Sequence, residues 1–147
     1  MKRPARFVAA LLGLAGLATA ALARPPYRTQ AIAQFHLEGS PLKKSTMSCA
    51  YCHTSDTGGP GWNPFGLEVR AGFAAEPKRR IADVLYRVLQ ANRDADGDGY
   101  PDALEVFART LPGDPASAPT ETLADLEARF QAAGGVEQYA PGPARAR

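Results

Sequence analysis

The stretch SCAYCHTSDTGGPGWNPFG, residues 48–66, holds both cysteines of the chain and one of its two histidines. Cys49 and Cys52 stand three apart, with His53 directly behind. Four chemistries use thiols so placed: a disulfide, a thioredoxin-type redox couple, half of a zinc site and covalent attachment of haem. Zinc needs four ligands, and beyond this trio the chain offers only His36 and carboxylates. A thioredoxin-type pair follows a strand in a βαβ unit, and none is visible here. In an exported chain, Cys-x-x-Cys-His is the attachment pattern of c-type haem. Both thiols add to the haem vinyl groups, and the adjacent histidine is then held beneath the iron. The competing reading is a short disulfide loop beside an unrelated histidine.

A second constellation lies in DADGDGYPDALE, residues 94–105, with carboxylates at Asp94, Asp96, Asp98, Asp102 and Glu105. In a twelve-residue EF-hand register these fill positions 1, 3, 5, 9 and 12. Gly99 takes the sharp turn at 6, and Tyr100 offers its backbone carbonyl at 7. Five carboxylates so close repel one another without a cation, and calcium favours many hard oxygen ligands. A solvated acidic turn explains neither the alternation, nor the glycine, nor the terminal Glu. The segment resembles EF-hand loops and the calcium loops of dockerins and thrombospondin type 3 repeats. Pro101 at position 8 departs from paired EF-hands, which use the N–H there to join two loops. With no second loop in the sequence, the expectation is one solitary, structural Ca²⁺ site.

The haem motif also carries a family resemblance. CxxCHT followed by a glycine-rich loop and NPFG is similar to small exported c-type cytochromes with a single haem, over residues 49–66 and more loosely over 27–75. The resemblance implies thioethers at Cys49 and Cys52, His53 as proximal ligand, and Trp62 and Phe65 packed on the haem, although ordinary core aromatics would be buried equally. The commonest pattern supplies a second axial ligand from a methionine far downstream. Here no Met or His follows His53. The distal candidates are therefore His36, Met47, Lys43, Lys44 and the amino group of a new terminus at Arg24. Met47 lies too close to Cys49 to cross the haem without a tight reversal. His36 has the slack and is the candidate distal ligand, an open iron being the other outcome.

Export is expected from the opening MKRPARFVAALLGLAGLATAALA, with Lys2, Arg3 and Arg6 ahead of an apolar run that ends in Ala21-Leu22-Ala23. The run is shorter than the ~20 residues of a membrane span, so it is read as a signal peptide over 1–23, giving a periplasmic or secreted chain with no membrane span. The leader holds three basic residues and no acidic one, so the formal net charge of +2 falls to about −1 in the mature chain. No basic face remains to suggest nucleic acid.

Several elements must position these groups. Residues 24–48 read as mostly extended or loop. Asn63-Pro64 begins a helix to about Phe73, with Trp62 expected to staple onto Leu67. Ile81, Val84, Leu85, Val88 and Leu89 follow the spacing of a helix with one buried face. A further helix starts near Pro101, and a last one presents Leu123, Leu126 and Phe130 on one side before Gly134-Gly135 stops it. The fold class is all-α with long loops: a small haem-c helical domain joined to a helix–calcium loop–helix unit. One haem domain over 24–133 is followed by a tail, 134–147, expected to be flexible. The functional expectation is an exported, monomeric electron carrier with one covalent haem c and one Ca²⁺, serving a redox partner protein and not itself an enzyme. The alternatives are an open-iron haem protein, peroxidase-like or gas-binding, and a calcium-dependent partner-binding module of a redox complex.

Overall fold

The computed structural model describes residues 25–39 and 49–143. The expected signal peptide, Arg24, Lys43, Lys44, Met47 and the last four residues lie outside them. Five α-helices occur among the described residues: α1 Pro25–Gln34, α2 Pro64–Ala75, α3 Ile81–Gln90, α4 Asp102–Ala108 and α5 Leu123–Ala132. Short 3-10 turns stand at Cys49–Tyr51, Pro115–Ser117 and Gly135–Tyr139. No strand forms among the described residues, and the one β-like pairing is an isolated bridge between His53 and Trp62. The all-α class with long loops is therefore observed, and no described helix is long and apolar enough to cross a membrane.

Helix α3 is the axis of the molecule. Its five periodic apolar residues, Ile81, Val84, Leu85, Val88 and Leu89, are all buried, and the helix packs against α1, α2, α4 and the C-terminal 3-10 turn. A single core runs from Ile32, Phe35 and Leu37 through Tyr51, Phe65 and Val69 to Leu104, Leu126, Phe130 and Tyr139. Gly72 lets α2 approach α3: a Cβ there would come within 2.7 Å of a Val84 methyl. Helix α2 ends just before Glu76-Pro77, where the residue ahead of a proline is pushed out of helical geometry.

Four expectations are corrected. Residues 25–34 form a helix rather than an extended segment, because Pro25 and Pro26 sit in its first turn, where no N–H is needed. Among the described side chains, Ile32 in the helix and Phe35 and Leu37 just past its end are deeply buried, so tertiary packing, not a long apolar stripe, holds it. Tyr27 adds a stacked contact to Phe73 at 5.6 Å. The tail expected to be flexible from 134 is ordered through Tyr139, which is 3% exposed and meets Phe35 edge-on. Gln34 Nε2 donates to the Tyr139 carbonyl and ties the two ends of the described chain together. Leu123 is exposed at the start of α5, so that helix buries Leu126 and Phe130 only. Leu67 is half exposed, and the Trp62 ring instead lies against His53.

Candidate functional site

The Cys49–His53 segment closes into one helical turn. The Cys49 carbonyl accepts from the amides of Cys52 at 3.1 Å and His53 at 2.8 Å. These two bonds draw Cys49, Cys52 and His53 into one compact turn. Both thiols are free and half-buried. Burial pushes the Cys52 thiol up to about 12, with neighbouring Cys49 adding to the rise. An activated redox thiol is tuned the other way.

His53 is oriented by two contacts. Its Nδ1 is 3.0 Å from the Gly61 carbonyl. A carbonyl only accepts, so Nδ1 carries the proton and donates, which leaves the lone pair on Nε2. The Trp62 indole lies 4.1 Å from the imidazole at 35°, and the Arg70 guanidinium lies 6.0 Å from the indole centroid. A histidine so fixed has the tautomer and the immobility of a metal ligand.

Behind the turn, Asn63 works as a clamp. Its Oδ1 caps α2 by accepting from Gly66 N at 2.7 Å. Its Nδ2 donates to the carbonyls of Ala50 at 3.0 Å and Tyr51 at 3.1 Å, and its own amide donates to Cys52 O at 3.1 Å. Gly66 then lies flat on the turn: a Cβ there would sit 1.8 Å from the Cys52 carbonyl oxygen. Gly113 closes the opposite side, where a Cβ would come within 2.6 Å of Asn63 Cγ. Among the expected haem contacts, Trp62 flanks His53, whereas Phe65 is fully buried beneath the turn against Tyr51 and Phe35. His36 ends the α1 segment with φ of 53°, exposed to solvent and with its ring 5.3 Å from Tyr139. Its neighbour Phe35 packs on Tyr51 at 5.6 Å, so the His36 segment and the cysteine turn share one aromatic cluster. Tyr51 is buried with its hydroxyl unpartnered.

The acidic loop is built with the same economy of backbone. Asp94 accepts from Gly97 N at 2.7 Å and Gly99 N at 2.9 Å, Asp96 from Asp98 N at 3.2 Å, and Asp98 from Tyr100 N at 2.8 Å. Gly97 and Gly99 take φ of 81° and 100°, left-handed values that fit glycine. Oxygens of Asp94, Asp96 and Asp98 gather within 4.8 Å of one another. Asp102 and Glu105, at the start of α4, are fully buried. One oxygen each of Asp96, Asp98, Asp102 and Glu105 is buried without a hydrogen-bond partner. Burial, opposed by the bond from Ala95 N and reinforced by the surrounding acids, lifts Asp102 to about 7. Burial and then Asp96, Asp98, Asp102 and Asp94 lift Glu105 to about 9. Nearby Arg93 pairs with Glu68, outside the loop. Buried carboxyl oxygens without a hydrogen-bond donor are costly, and the oxygens of Asp94, Asp96 and Asp98 lie close enough together to hold a metal ion. Tyr100 anchors the loop to the approach of α5 by donating its hydroxyl to Glu121 O at 2.6 Å.

Sequence reasoning gave Asn63 only the capping role and assigned none to Gly66, Gly61 and Gly113. Asn63 and Gly66 stand in the NPFG run immediately after the cysteine motif. Gly113 comes from 50 positions beyond Asn63 and is reached only through the fold. No family model, curated protein or solved structure matches the chain.

Proposed function

We propose that this chain is an exported c-type cytochrome that carries single electrons on one haem held by Cys49, Cys52 and His53, with a structural Ca²⁺ in the 94–105 loop. The observation that carries the reading is the Cys49–His53 turn itself. Two free thiols and an imidazole stand within one hydrogen-bonded turn, and the Gly61 carbonyl already holds the imidazole in the tautomer that frees Nε2. Haem, when bound, supplies a one-electron Fe(III)/Fe(II) couple. The chain's residues do the rest. Cys49 and Cys52 would anchor the porphyrin, and His53 Nε2 would face the metal. Gly61 and Trp62 would keep the imidazole from rotating, and the Asn63 clamp would keep the turn rigid. A rigid ligand set lowers the reorganisation that accompanies a change of iron charge.

In the loop, Asp94, Asp96, Asp98, Asp102 and Glu105 with the Tyr100 carbonyl would hold calcium. The four orphaned carboxyl oxygens support this reading. His36 remains the candidate distal ligand. An optical spectrum of the purified protein, oxidised and then reduced under carbon monoxide, tests the function. A low-spin spectrum unaffected by carbon monoxide supports a six-coordinate carrier. A high-spin spectrum that shifts with carbon monoxide assigns an open-iron, gas-binding or peroxidase-like protein instead.

A further inference from the structure

The calcium loop and the cysteine turn are 42 residues apart from Cys52 to Asp94 in sequence, yet a short and nearly continuous path of contacts joins them. It starts at Glu105, which carries one of the orphaned oxygens. Thr110 N donates to the Glu105 carbonyl at 2.9 Å, and the Thr110 hydroxyl reaches the same carbonyl at 3.3 Å. This fixes the departure of the chain from α4, where Arg109 reverses it with φ of 64°. Leu111, held by its amide bond to Ser117 Oγ at 3.0 Å, leads into Pro112 and Gly113, both buried. Gly113 lies against the Asn63 side chain so closely that no Cβ fits. Asn63 in turn holds the carbonyls of Ala50, Tyr51 and Cys52. The path consists of hydrogen bonds, a short run of chain and one glycine contact with no slack, so a displacement at Glu105 is passed on rather than absorbed.

We propose that calcium binding at residues 94–105 and ordering of the Cys49–His53 turn are one coupled event, so that calcium organises the turn to which haem is attached. The inference rests on the calcium reading of the loop. Without the cation, the buried carboxyl groups of Asp102 and Glu105 have no positive partner in the loop, so they must either hold protons or move apart from the neighbouring acids, and α4 and the 110–113 segment would carry that movement. With it, Glu105 is pinned, Gly113 seats on Asn63 and the turn closes. An exported chain that meets calcium only outside the cytosol would thereby form its attachment turn in the compartment where it is used.

Amide hydrogen exchange of the full mature protein, as isolated, in calcium and in EGTA tests this with calcium as the only probe. If the turn opens only when the loop has released its ion, exchange slows by the factor 1 + [Ca²⁺]/Kd, about 100-fold at calcium 100 times Kd. The amides to read are Cys52, His53 and Asn63 in the turn, and Gly97 and Gly99 in the loop. The expected result is parallel slowing of both sets, exceeding that of the Phe35 amide in the α1 segment. Slowing of the loop amides alone overturns the coupling and leaves the calcium site standing. No slowing in either set overturns the calcium site and the coupling together. Slowing of the turn no greater than that of Phe35 reports general stabilisation and also overturns the link. In Asn63→Ala, calcium should still slow Gly97 and Gly99 while the turn ceases to respond; a fully responsive turn in that variant would overturn the route through Asn63.

Discussion

Asn63→Asp separates the clamp from the helix cap, because it removes one and keeps the other. A carboxylate oxygen can still accept from Gly66 N and is favoured at the start of α2 by the helix dipole, so a residue that merely caps would tolerate the change. The Nδ2 donor, however, is replaced by an oxygen facing the carbonyls of Ala50 and Tyr51, now 3.0 and 3.1 Å from it. Each lost bond is worth about 1 kcal/mol, and stranding buried acceptors against a third oxygen adds about as much again, so the variant should be destabilised by about 3 kcal/mol. Against a total of about 5–15 kcal/mol this is a large share, equivalent to a Tm lower by roughly 10 °C. Urea denaturation followed by far-ultraviolet circular dichroism measures it. A variant within about 0.5 kcal/mol of the parent chain would show that Asn63 is only a cap and would refute the clamp.

Four further outcomes are expected. Folded-state values raised to about 7 for Asp102 and about 9 for Glu105 mean that the calcium-free native state holds protons the unfolded chain has released. The contribution of these two groups to stability in EGTA should therefore be fully present below about pH 4, decline as pH rises through those values, and become nearly flat across that range when calcium is added; a Tm in EGTA that climbs from pH 5 to 9 would contradict this. Glu105→Gln should match or exceed the parent Tm in EGTA at neutral pH and lose most of the calcium-induced rise. Gly66→Ala should cost more Tm than Gly72→Ala, because the first meets a backbone oxygen at 1.8 Å and the second a valine methyl at 2.7 Å that can rotate away; equal losses would mean that α2 does not rest on the cysteine turn. His36→Ala should convert a low-spin haem spectrum to a high-spin one, and an unchanged low-spin spectrum would move the distal ligand to Met47, a lysine or the chain terminus.

The parts of the fold readable in the sequence are those written in local pattern. Helix α3 is announced by five apolar residues at helical spacing, all of which are buried, and the start of α2 by Asn63-Pro64, whose cap bond is present. The acidic loop is legible because each Asp answers an amide a few residues away. Helix α1 carries too few apolar residues to declare a period, and its stability comes from Phe73, Tyr51 and Tyr139, which lie far along the chain. Tyr139 itself reads as part of a polar tail until Gln34, 105 positions earlier, is found bound to its carbonyl. The chemistry proposed for Cys49, Cys52 and His53 rests on their spacing. What holds them does not, since Gly61 acts through a backbone oxygen and Gly113 through the absence of a side chain.

The central claim is that Cys49 and Cys52 exist to bind haem covalently. Mass spectrometry of the denatured protein, produced in a host that attaches c-type haem to exported chains, tests it most directly. The expected result is one haem adduct that survives denaturation and maps to the peptide containing Cys49, Cys52 and His53. A chain without the adduct, carrying instead an intact Cys49–Cys52 disulfide, would contradict the account.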